Sequence, residues 1–361
     1  MFKIKALKTR SYVYIFSVFA LLLFSYHLFV FTFFTSKVIA VEPPLYAGDL
    51  IRLSYQTDFI KLKETVNTLP KKHLEASEYS GQKIDVLTIG DSFSNGGGGG
   101  LNAYYQDHIA SINDFNVLNI KRLPFAGKGI AKTFFALYSS GAIDQIKPRV
   151  VLLSMGSRDL VSRFATELDW DYKPRTQEIL KALLAMKPME LSAYQLKNIP
   201  VVNSANFKLP YYTLGYKFIP CMKMVCRFPL KESLFTVKAK KEILVYKKSL
   251  QNVYLSTPEN IAKVNANLNR IAEMLKEKGI KFYFMPAVSK YDLYSEFIAS
   301  NPYHNDQLFE LLSPLKKEYT LINTKEILLP SLREGEKDLF YADDTHWSAK
   351  ASNRIFSQTK F

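Results

Sequence analysis

The stretch KIDVLTIGDSFSN, residues 83–95, carries the clearest fold information in this sequence. Its first seven residues are rich in β-branched side chains and largely alternate between polar and apolar, which is typical of a strand. Gly90, Asp91 and Ser92 then end the apolar pattern, and a glycine run at residues 96–100 follows them. The stretch therefore predicts a strand that runs into a tight turn.

Similar patterns recur along the rest of the chain. Further strands are predicted at residues 116–120, 150–155, 280–285 and 319–323. A helix precedes the strand at 280–285: Thr257 is its cap, Pro258 lies in its first turn and Gly279 ends it. Apolar strands that alternate with helices favour a parallel sheet covered on both faces. We therefore expect an α/β protein, built as a three-layer α/β/α sandwich around a central parallel sheet.

Residues 11–36 (SYVYIFSVFALLLFSYHLFVFTFFTS) contain no Asp, Glu, Lys or Arg and predict a transmembrane helix. As a helix they extend about 39 Å, more than the roughly 30 Å hydrocarbon core of a bilayer. The apolar region of a signal peptide is shorter, about 7–15 residues, so we interpret the segment as an uncleaved anchor, although residues 38–40 form a weak cleavage site. The basic residues that precede the segment are Lys3, Lys5, Lys8 and Arg10.

These basic residues favour a cytoplasmic location for residues 1–10. The rest of the chain is then expected on the periplasmic side of the inner or plasma membrane, as a single-pass protein. The net charge of the whole chain, +15, makes nucleic acid a partner to consider, but an exported domain rarely meets it and the chain contains no nucleic-acid motif. Anionic lipid or an acidic glycan fits better, and a solvated basic surface without a partner stays open.

The chain has two cysteines, Cys221 and Cys226. An oxidising compartment permits a disulfide between them, and two buried thiols are the alternative. The five histidines show no metal-ligand spacing around this pair, so we expect no metal site. We expect no cofactor either.

Ser92 follows a predicted strand, and reactive groups of parallel sheets lie beyond the carboxyl ends of strands. A serine on such a turn exposes its hydroxyl, while backbone N–H groups of the turn can bind an oxyanion. A serine nucleophile needs a base, and a histidine base needs a carboxylate to orient it. The run Asp343-Asp344-Thr345-His346 contains both partners after the last predicted strand. We predict Ser92 as nucleophile and His346 as base; a helix-capping serine and a capping turn are the alternatives.

With these residues the sequence resembles the SGNH, or GDSL-like, hydrolase superfamily, over about residues 83–160 and 280–361. The matching motifs are Gly90-Asp91-Ser92 and Asp343-Asp344-Thr345-His346. Gly90-Asp91-Ser92-Phe93 and Asp344-Thr345-His346-Trp347 are most similar to the alginate O-acetyltransferase branch, whose members are exported and act on polysaccharide. The resemblance implies a flavodoxin-like sandwich with Asp344 as the acid of the site. Asp343 would match the commoner Asp-x-x-His arrangement and is the alternative acid.

The resemblance also implies residues that bind the oxyanion. The superfamily's second block supplies a glycine N–H, for which Gly127 is the matching residue, although a glycine that only serves the turn is equally open. The third block is Gly-x-Asn-Asp, whereas this chain has Gly156-Ser157-Arg158-Asp159, so Arg158 stands in place of the asparagine. In the alginate enzymes the Asp-x-His-Trp motif precedes the serine motif; here it follows, as in ordinary SGNH esterases.

These observations divide the chain into an anchor, a stalk with a packing helix at residues 37–80, and a catalytic domain at residues 81–361. Residues 160–256 depart from the alternating plan, which predicts an insertion packed over the active site. Its aromatic side chains either contact a glycan or build a small core of their own. They are Trp170, Tyr172, Tyr211, Tyr212 and Tyr216.

Three functions remain open from the sequence. The first is transfer of an acyl group, expected to be acetyl, to a polysaccharide through an acyl-Ser92 intermediate. The second is a carbohydrate esterase, or deacetylase, in which water accepts the acyl group. The third is an inactive scaffold in the cell envelope. For the first, resemblance to the alginate system implies a multi-pass membrane acyltransferase as a partner that brings the acyl donor across the bilayer.

Overall fold

A computed structural model describes residues 9–39, 47–64, 67–121, 123, 129–184 and 199–361. The core of this part of the chain is a six-stranded sheet in which every pair of neighbouring strands is parallel, with the order β1-β3-β2-β4-β8-β9. Its strands are β1 (Leu74–Glu75), β2 (Val86–Gly90), β3 (Val117–Lys121), β4 (Val150–Gly156), β8 (Lys281–Ala287) and β9 (Thr320–Leu321). A separate antiparallel sheet contains β5 (Cys221–Met222), β6 (Val225–Pro229) and β7 (Glu242–Tyr246).

The parallel sheet confirms the α/β prediction. Every residue of β2 and β4 is buried, because strands in the middle of a parallel sheet are covered on both faces. The edges differ from the prediction. The strand expected at 319–323 pairs over two residues only, and β1 was missed because two residues are too short to form a pattern.

Helices pack on the sheet in two groups, one formed by α4, α14 and α15 and the other by α5, α7 and α11. Their bounds are α4 (Tyr105–Asn113), α5 (Ile130–Ser139), α7 (Ser157–Phe164), α11 (Pro258–Lys276), α14 (Thr324–Arg333) and α15 (Ala349–Gln358). The sequence signals at α11 are confirmed. The Thr257 hydroxyl accepts a hydrogen bond from the Asn260 N–H, and Gly279 follows the helix with a φ of +69°.

The remaining helical elements are shorter or lie outside the sheet layers. The α-helices are α1 (Thr9–Val30), α2 (Ser36–Val38), α3 (Asp49–Ser54), α6 (Ala142–Ile146), α8 (Thr176–Leu184), α9 (Ala205–Gly215), α10 (Lys247–Asn252), α12 (Lys290–Tyr294) and α13 (Leu308–Leu312). The 3₁₀ turns are Thr57–Phe59, Ala76–Glu78, Ser92–Asn95, Val253–Leu255 and Ser295–Phe297. A π-helical turn, Phe31–Thr35, joins α1 to α2.

The N-terminal helical segment is long and apolar enough to cross a membrane. It extends over Ser11–Val38, with a mean hydropathy of 2.1, and only 11% of its most apolar window is buried against the rest of the protein. A core helix of a soluble protein would be mostly buried, and this segment is not. Residues 1–8, with three of the four predicted cytoplasmic basic residues, lie outside the described part of the chain.

The segment predicted as a stalk and packing helix differs from that prediction. In its described residues, the helical elements are the end of α2, α3 and two 3₁₀ turns, and residues 60–64 and 67–73 are not helical. The segment lies against the domain instead: Leu50, Ile51 and Phe59 are completely buried in the core. The predicted packing helix is wrong here, because these apolar residues are buried by tertiary contacts of a segment that is largely not helical.

The predicted insertion contains α8, α9 and the small antiparallel sheet. Cys221 pairs with Cys226 across β5 and β6, and a disulfide joins them, which decides between the two alternatives for the cysteines. Most of the aromatic residues of the insertion are engaged in packing. Trp170 lies against Phe135 and beneath the guanidinium of Arg270, for example.

Candidate functional site

The order of the strands places a crevice at the carboxyl ends of β2 and β4. The chain passes from β2 to β3 on one side and then crosses to β4 on the other side of β2. Connections that leave in opposite directions open a gap at such a point, and ligands of α/β proteins bind there. Ser92 directly follows β2, and Arg158 follows β4.

The Asp91 carboxylate links the two loops at this crevice. One of its oxygens accepts a hydrogen bond from the Phe93 N–H, at 3.0 Å, which caps the 3₁₀ turn that begins at Ser92. The other oxygen accepts the Gly156 N–H at 2.8 Å. Asp91 therefore fixes the turn after β2 to the end of β4 and leaves Ser92 exposed.

Three predicted residues form one hydrogen-bonded chain. The Ser92 Oγ lies 2.8 Å from His346 Nε2, although the two residues are 254 positions apart. On the other side of the ring, His346 Nδ1 lies 2.6 Å from Asp344 Oδ1. A carboxylate can only accept, so this contact places the proton of the neutral ring on Nδ1 and leaves the Nε2 lone pair facing the serine hydroxyl.

The two adjacent aspartates have different partners. Asp344 contacts His346 twice, because its Oδ1 also accepts the His346 N–H at 3.0 Å. Asp343 instead pairs with the Lys63 ammonium at 2.7 Å, with both side chains fully buried, and its second oxygen accepts the Gly48 N–H. The geometry therefore assigns Asp344 to the histidine and Asp343 to the anchoring of the loop.

The loop that carries these residues is held by the segment after the N-terminal apolar helix. The N–H groups of Leu50 and Ile51 both donate to the Asp343 carbonyl, and the Asp49 N–H donates to the Asp344 carboxylate. The Asp49 carboxylate in turn accepts the N–H and the hydroxyl of Thr345, at 2.8 and 2.5 Å. Because residues 37–80 were interpreted as a stalk, the sequence analysis missed these contacts.

Close approach of this segment requires glycine at position 48. A Cβ there would lie 2.1 Å from the Asp343 carbonyl oxygen, so no other residue fits without a shift of the backbone. The glycine run has a similar requirement at Gly97, where a Cβ would lie 2.5 Å from His346 Nε2. Gly97 belongs to the glycine run seen in the sequence, but the contact that requires a glycine there is visible only in the structure.

Lys290 holds the loop from the opposite side. Its ammonium donates to the carbonyls of Tyr341, Ala342 and Asp344, at 2.8, 2.8 and 3.1 Å. The side chain is buried, and burial lowers the pKa of Lys290 to about 7, against the opposing attraction of Asp343. A lysine within a predicted α/β domain gives no sequence signal for such a role.

The electrostatics of the hydrogen-bonded residues Ser92, His346 and Asp344 favour protonation of the His346 ring. Burial by itself would lower the pKa of His346, but attraction to Asp344 and the hydrogen bond between them raise it above its ordinary value. Burial by itself would raise the pKa of Asp344, but the contact with His346 holds it well below the usual range of a carboxyl. Asp344 therefore stays ionised, and the pair favours the imidazolium form of the ring.

Aromatic packing fixes the imidazole in place. The Phe93 ring lies 4.7 Å from the His346 ring and 4.7 Å from the Trp347 ring, measured between centroids. Phe340 and Trp347 form an antiparallel bridge that closes the loop at its base. The residue after the serine and the residue after the histidine thus pack together, which connects the two motifs physically.

Of the two residues predicted to bind the oxyanion, Gly127 and Arg158, the structure describes only Arg158. Gly127 lies outside the described residues. Arg158 stands at the start of α7, directly after β4, where its guanidinium lies over the Tyr246 ring and contacts the Asp159 carboxylate at 3.4 Å. Its positive charge opposes protonation of His346.

Two aromatic residues of the insertion, Phe235 and Tyr246, lie near Lys290 and Arg158. Phe235 packs on Tyr294 and lies 5.3 Å from the Lys290 ammonium. By contrast, the Tyr172 ring lies near Lys132, and Tyr212 is buried against Tyr55. These contacts favour a packing role for Tyr172 and Tyr212, whereas Tyr211 is exposed.

Two further groups of ionisable side chains lie among the described residues, one at His346 and one at His73. Among the described residues, ligand atoms of Asp49, Asp344 and His346 lie within 4.8 Å of one another, so this group has the spacing for a cation. The same atoms take part in the hydrogen bonds described above, which account for their positions. His73 contacts the carboxylate of Glu75, two positions away in sequence, and that of Asp107, 34 positions away.

No protein-family model matches this sequence, and no curated protein matches it.

Removing one partner of the buried Lys63 and Asp343 pair should destabilise the protein. Lys63→Met leaves a buried carboxylate without its cation, which typically costs about 3–5 kcal/mol. Denaturant unfolding of the detergent-solubilised protein measures the change. The matched control is Lys263→Met, which removes an exposed partner of Glu259 and should leave the unfolding midpoint nearly unchanged. Equal midpoints for the two variants would contradict a structural role for the pair.

Proposed function

We propose that this protein is a membrane-anchored serine acyltransferase of the SGNH type, which transfers an acyl group, expected to be acetyl, to a polysaccharide outside the cytoplasm. The observation that carries the proposal is the hydrogen-bonded chain Ser92, His346 and Asp344 at the carboxyl edge of a parallel sheet. A serine, a histidine and a carboxylate in this order are the parts of a nucleophilic acyl-transfer site.

In the first half of the reaction, Ser92 Oγ attacks the carbonyl carbon of an ester donor while His346 Nε2 takes the hydroxyl proton. The tetrahedral intermediate collapses as the bond to the leaving oxygen breaks, and His346 returns the proton to the leaving alcohol. The product is an acyl ester on Ser92. Asp344 stays ionised throughout and stabilises the imidazolium that forms between the two proton transfers.

In the second half, a hydroxyl of the acceptor glycan takes the position of the leaving alcohol. His346 removes its proton, the acceptor oxygen attacks the acyl carbon, and the bond to Ser92 Oγ breaks as the proton returns to the serine. The N–H of Ser92, the first of its 3₁₀ turn, is a candidate oxyanion donor, since the first N–H groups of a helix have no intrahelical acceptor. Arg158, and Gly127 if its N–H faces the crevice, are the further candidates.

Ester hydrolysis is the second candidate function. Ser92 is exposed, so water can reach the same acyl ester, and the serine motif precedes the histidine motif as in SGNH esterases. The chemistry is the same up to the acyl ester. The two functions differ only in whether a sugar hydroxyl or water accepts the acyl group.

The membrane location is part of the proposal. The apolar helical segment supports an uncleaved anchor because its surface is mostly exposed over a length sufficient to cross a bilayer. The basic residues before it support a periplasmic domain. A donor such as an acyl-CoA is absent there, so a multi-pass membrane acyltransferase that supplies the acyl group remains part of the proposed setting.

Ser92→Ala should abolish acyl transfer, because the variant lacks the oxygen that forms the acyl ester. Loss of such a nucleophile costs about four to six orders of magnitude in turnover. The assay combines the purified protein, an acetyl-ester donor and a polysaccharide, and detects new esters on the glycan by mass spectrometry. Release of acetate without transfer would favour the esterase. Failure of the folded wild type to react with a serine-directed phosphonate would favour an inactive scaffold and overturn the proposal.

Substitutions of the two adjacent aspartates should lower activity to different extents. Asp344→Asn removes the charge that orients and stabilises His346 and should lower turnover by about 10⁴-fold. Asp343→Asn keeps the Asp344 contact and should lower turnover far less, although it weakens the pair with Lys63. Steady-state rates with circular dichroism of both variants provide the comparison. A larger loss in Asp343→Asn, with both variants folded, would reverse the assignment.

Activity should rise with pH, because His346 acts as a base only when it is neutral. The pKa of His346 is raised, so the half-maximal point of kcat/KM should lie above about pH 6.5, the ordinary value for histidine. Asp344→Asn removes the main source of that increase and should move the midpoint to lower pH. A pH–rate profile of both proteins tests this. An unchanged midpoint in the variant would show that Asp344 does not set the pKa of His346.

A further inference from the structure

Helix α9, Ala205–Gly215, presents apolar side chains on two opposite faces. One face is turned towards the protein, where Ala205 and Tyr212 are buried. The other face carries a stripe that continues into the turn after the helix, with exposed fractions between 53% and 78%. Its members recur at intervals of four, three and four residues, which places them on one side of a helix. They are Phe207, Tyr211, Leu214 and Phe218.

The exposed stripe is part of a wider apolar surface. The turn after α9 is closed by hydrogen bonds from the Phe218 and Ile219 N–H groups to the Gly215 carbonyl, and Ile219 is about half exposed. Val202 precedes the helix and is also about half exposed. A helix with apolar side chains on two opposite faces normally has nonaqueous surroundings on both of them. The protein provides them on one side only.

The start of α9 is fixed to the membrane helix. The Tyr26 hydroxyl donates to the Asn206 carbonyl at 2.7 Å, and the Thr35 hydroxyl donates to the Asn206 side-chain oxygen at 2.5 Å. The Phe207 ring lies 5.8 Å from the Tyr26 ring and 4.9 Å from the His27 ring. The exposed stripe therefore begins directly beside the apolar segment.

The contact points mark the depth of α9 along the membrane helix. If the apolar segment enters the bilayer at Ser11, Tyr26 lies about 22 Å along the helix and Thr35 about 36 Å along it. These positions bracket the far boundary of a hydrocarbon core about 30 Å thick. The start of α9 thus lies at the level where the anchor leaves the hydrocarbon on the side of the folded domain.

The composition of this surface matches a membrane interface. Aromatic residues and leucine form the exposed stripe, and three exposed lysines, Lys208, Lys217 and Lys223, lie on α9 or close to it in sequence. Aromatic side chains are enriched at headgroup level, and lysines extend their ammonium groups to lipid phosphates. Interfacial helices combine these two features.

We propose that α9 and its following turn lie in the outer interface of the bilayer, with Phe207, Tyr211, Leu214 and Phe218 among the lipid chains. The occupant of this surface is phospholipid. The proposal rests on the proposed membrane anchoring, because the depth of α9 is measured along the anchor. It gives the domain a second membrane contact, which restricts how the domain is oriented above the bilayer.

Site-specific labelling in lipid nanodiscs tests the proposal with the full chain. The described part of the chain holds no free cysteine, since Cys221 and Cys226 form the disulfide, so a single new cysteine can be labelled without reductant. The test variants are Leu214→Cys and Phe218→Cys, each carrying an environment-sensitive fluorophore. The nanodiscs contain phosphatidylcholine and phosphatidylglycerol, with or without nitroxide-labelled lipid.

Both test labels should emit at shorter wavelength than in water and lose intensity when nitroxide lipid is present. Ile112→Cys, at an exposed position on α4, is the matched control and should show neither change. Water-like emission at 214 and 218 without quenching would overturn the proposal. Shielding of these labels in native membranes, but not in nanodiscs, would assign the surface to a protein partner and also overturn it.

A second control separates this proposal from the anchoring itself. Phe19→Cys places the label on an exposed position in the middle of the apolar segment. If this label is quenched and those at 214 and 218 are not, the anchor is inserted and only the interfacial contact is wrong. If the label at 19 is not quenched, the proposed anchoring fails, and the interfacial contact fails with it.

Discussion

A buried carboxylate has to remain ionised beside His346, and much of the surrounding structure serves this constraint. Burial of Asp344 would by itself favour its neutral form, and the contact with His346 outweighs that effect. Lys63 and Lys290 add two buried ammonium groups around the same loop. Such a cluster is stable only when nearly every polar group has a partner, which explains why backbone N–H groups and carbonyls take part so extensively.

The same constraint explains why the segment after the N-terminal apolar helix belongs to the site. Asp49 binds the backbone and side chain of Thr345, and the backbone at Gly48 approaches Asp343 too closely for any side chain. The chain from Ile39 to Gly48 spans at most about 30 Å when fully extended. If the helix is a membrane anchor, the Asp343 loop lies within that distance of the anchor's end, which suits an enzyme that receives its acyl donor at the bilayer.

The two proposals concern two regions, one beside the N-terminal helix and one held by the segment that follows it. At one end, α9 and the anchor share the polar contacts of Asn206, and exposed aromatic rings continue from one helix to the other. At the other end, the loop at 341–346 carries the histidine to Ser92. A second contact with lipid would limit rotation of the domain about its anchor. Restricted rotation would keep the crevice in a constant orientation towards the membrane and the glycan outside it.

The sequence by itself determined the parallel sheet, helix α11 and the pairing of Ser92 with His346, because strand periodicity, helix caps and residue chemistry are local properties. It left open whether Asp343 or Asp344 serves the histidine, since adjacent side chains share the same local signals. Only the tertiary structure decided this, through Lys63 and Gly48, which lie about 280 and 295 positions away and hold Asp343 on the opposite side of the loop. Contacts over such separations depend on how the whole chain packs, and no local pattern encodes them.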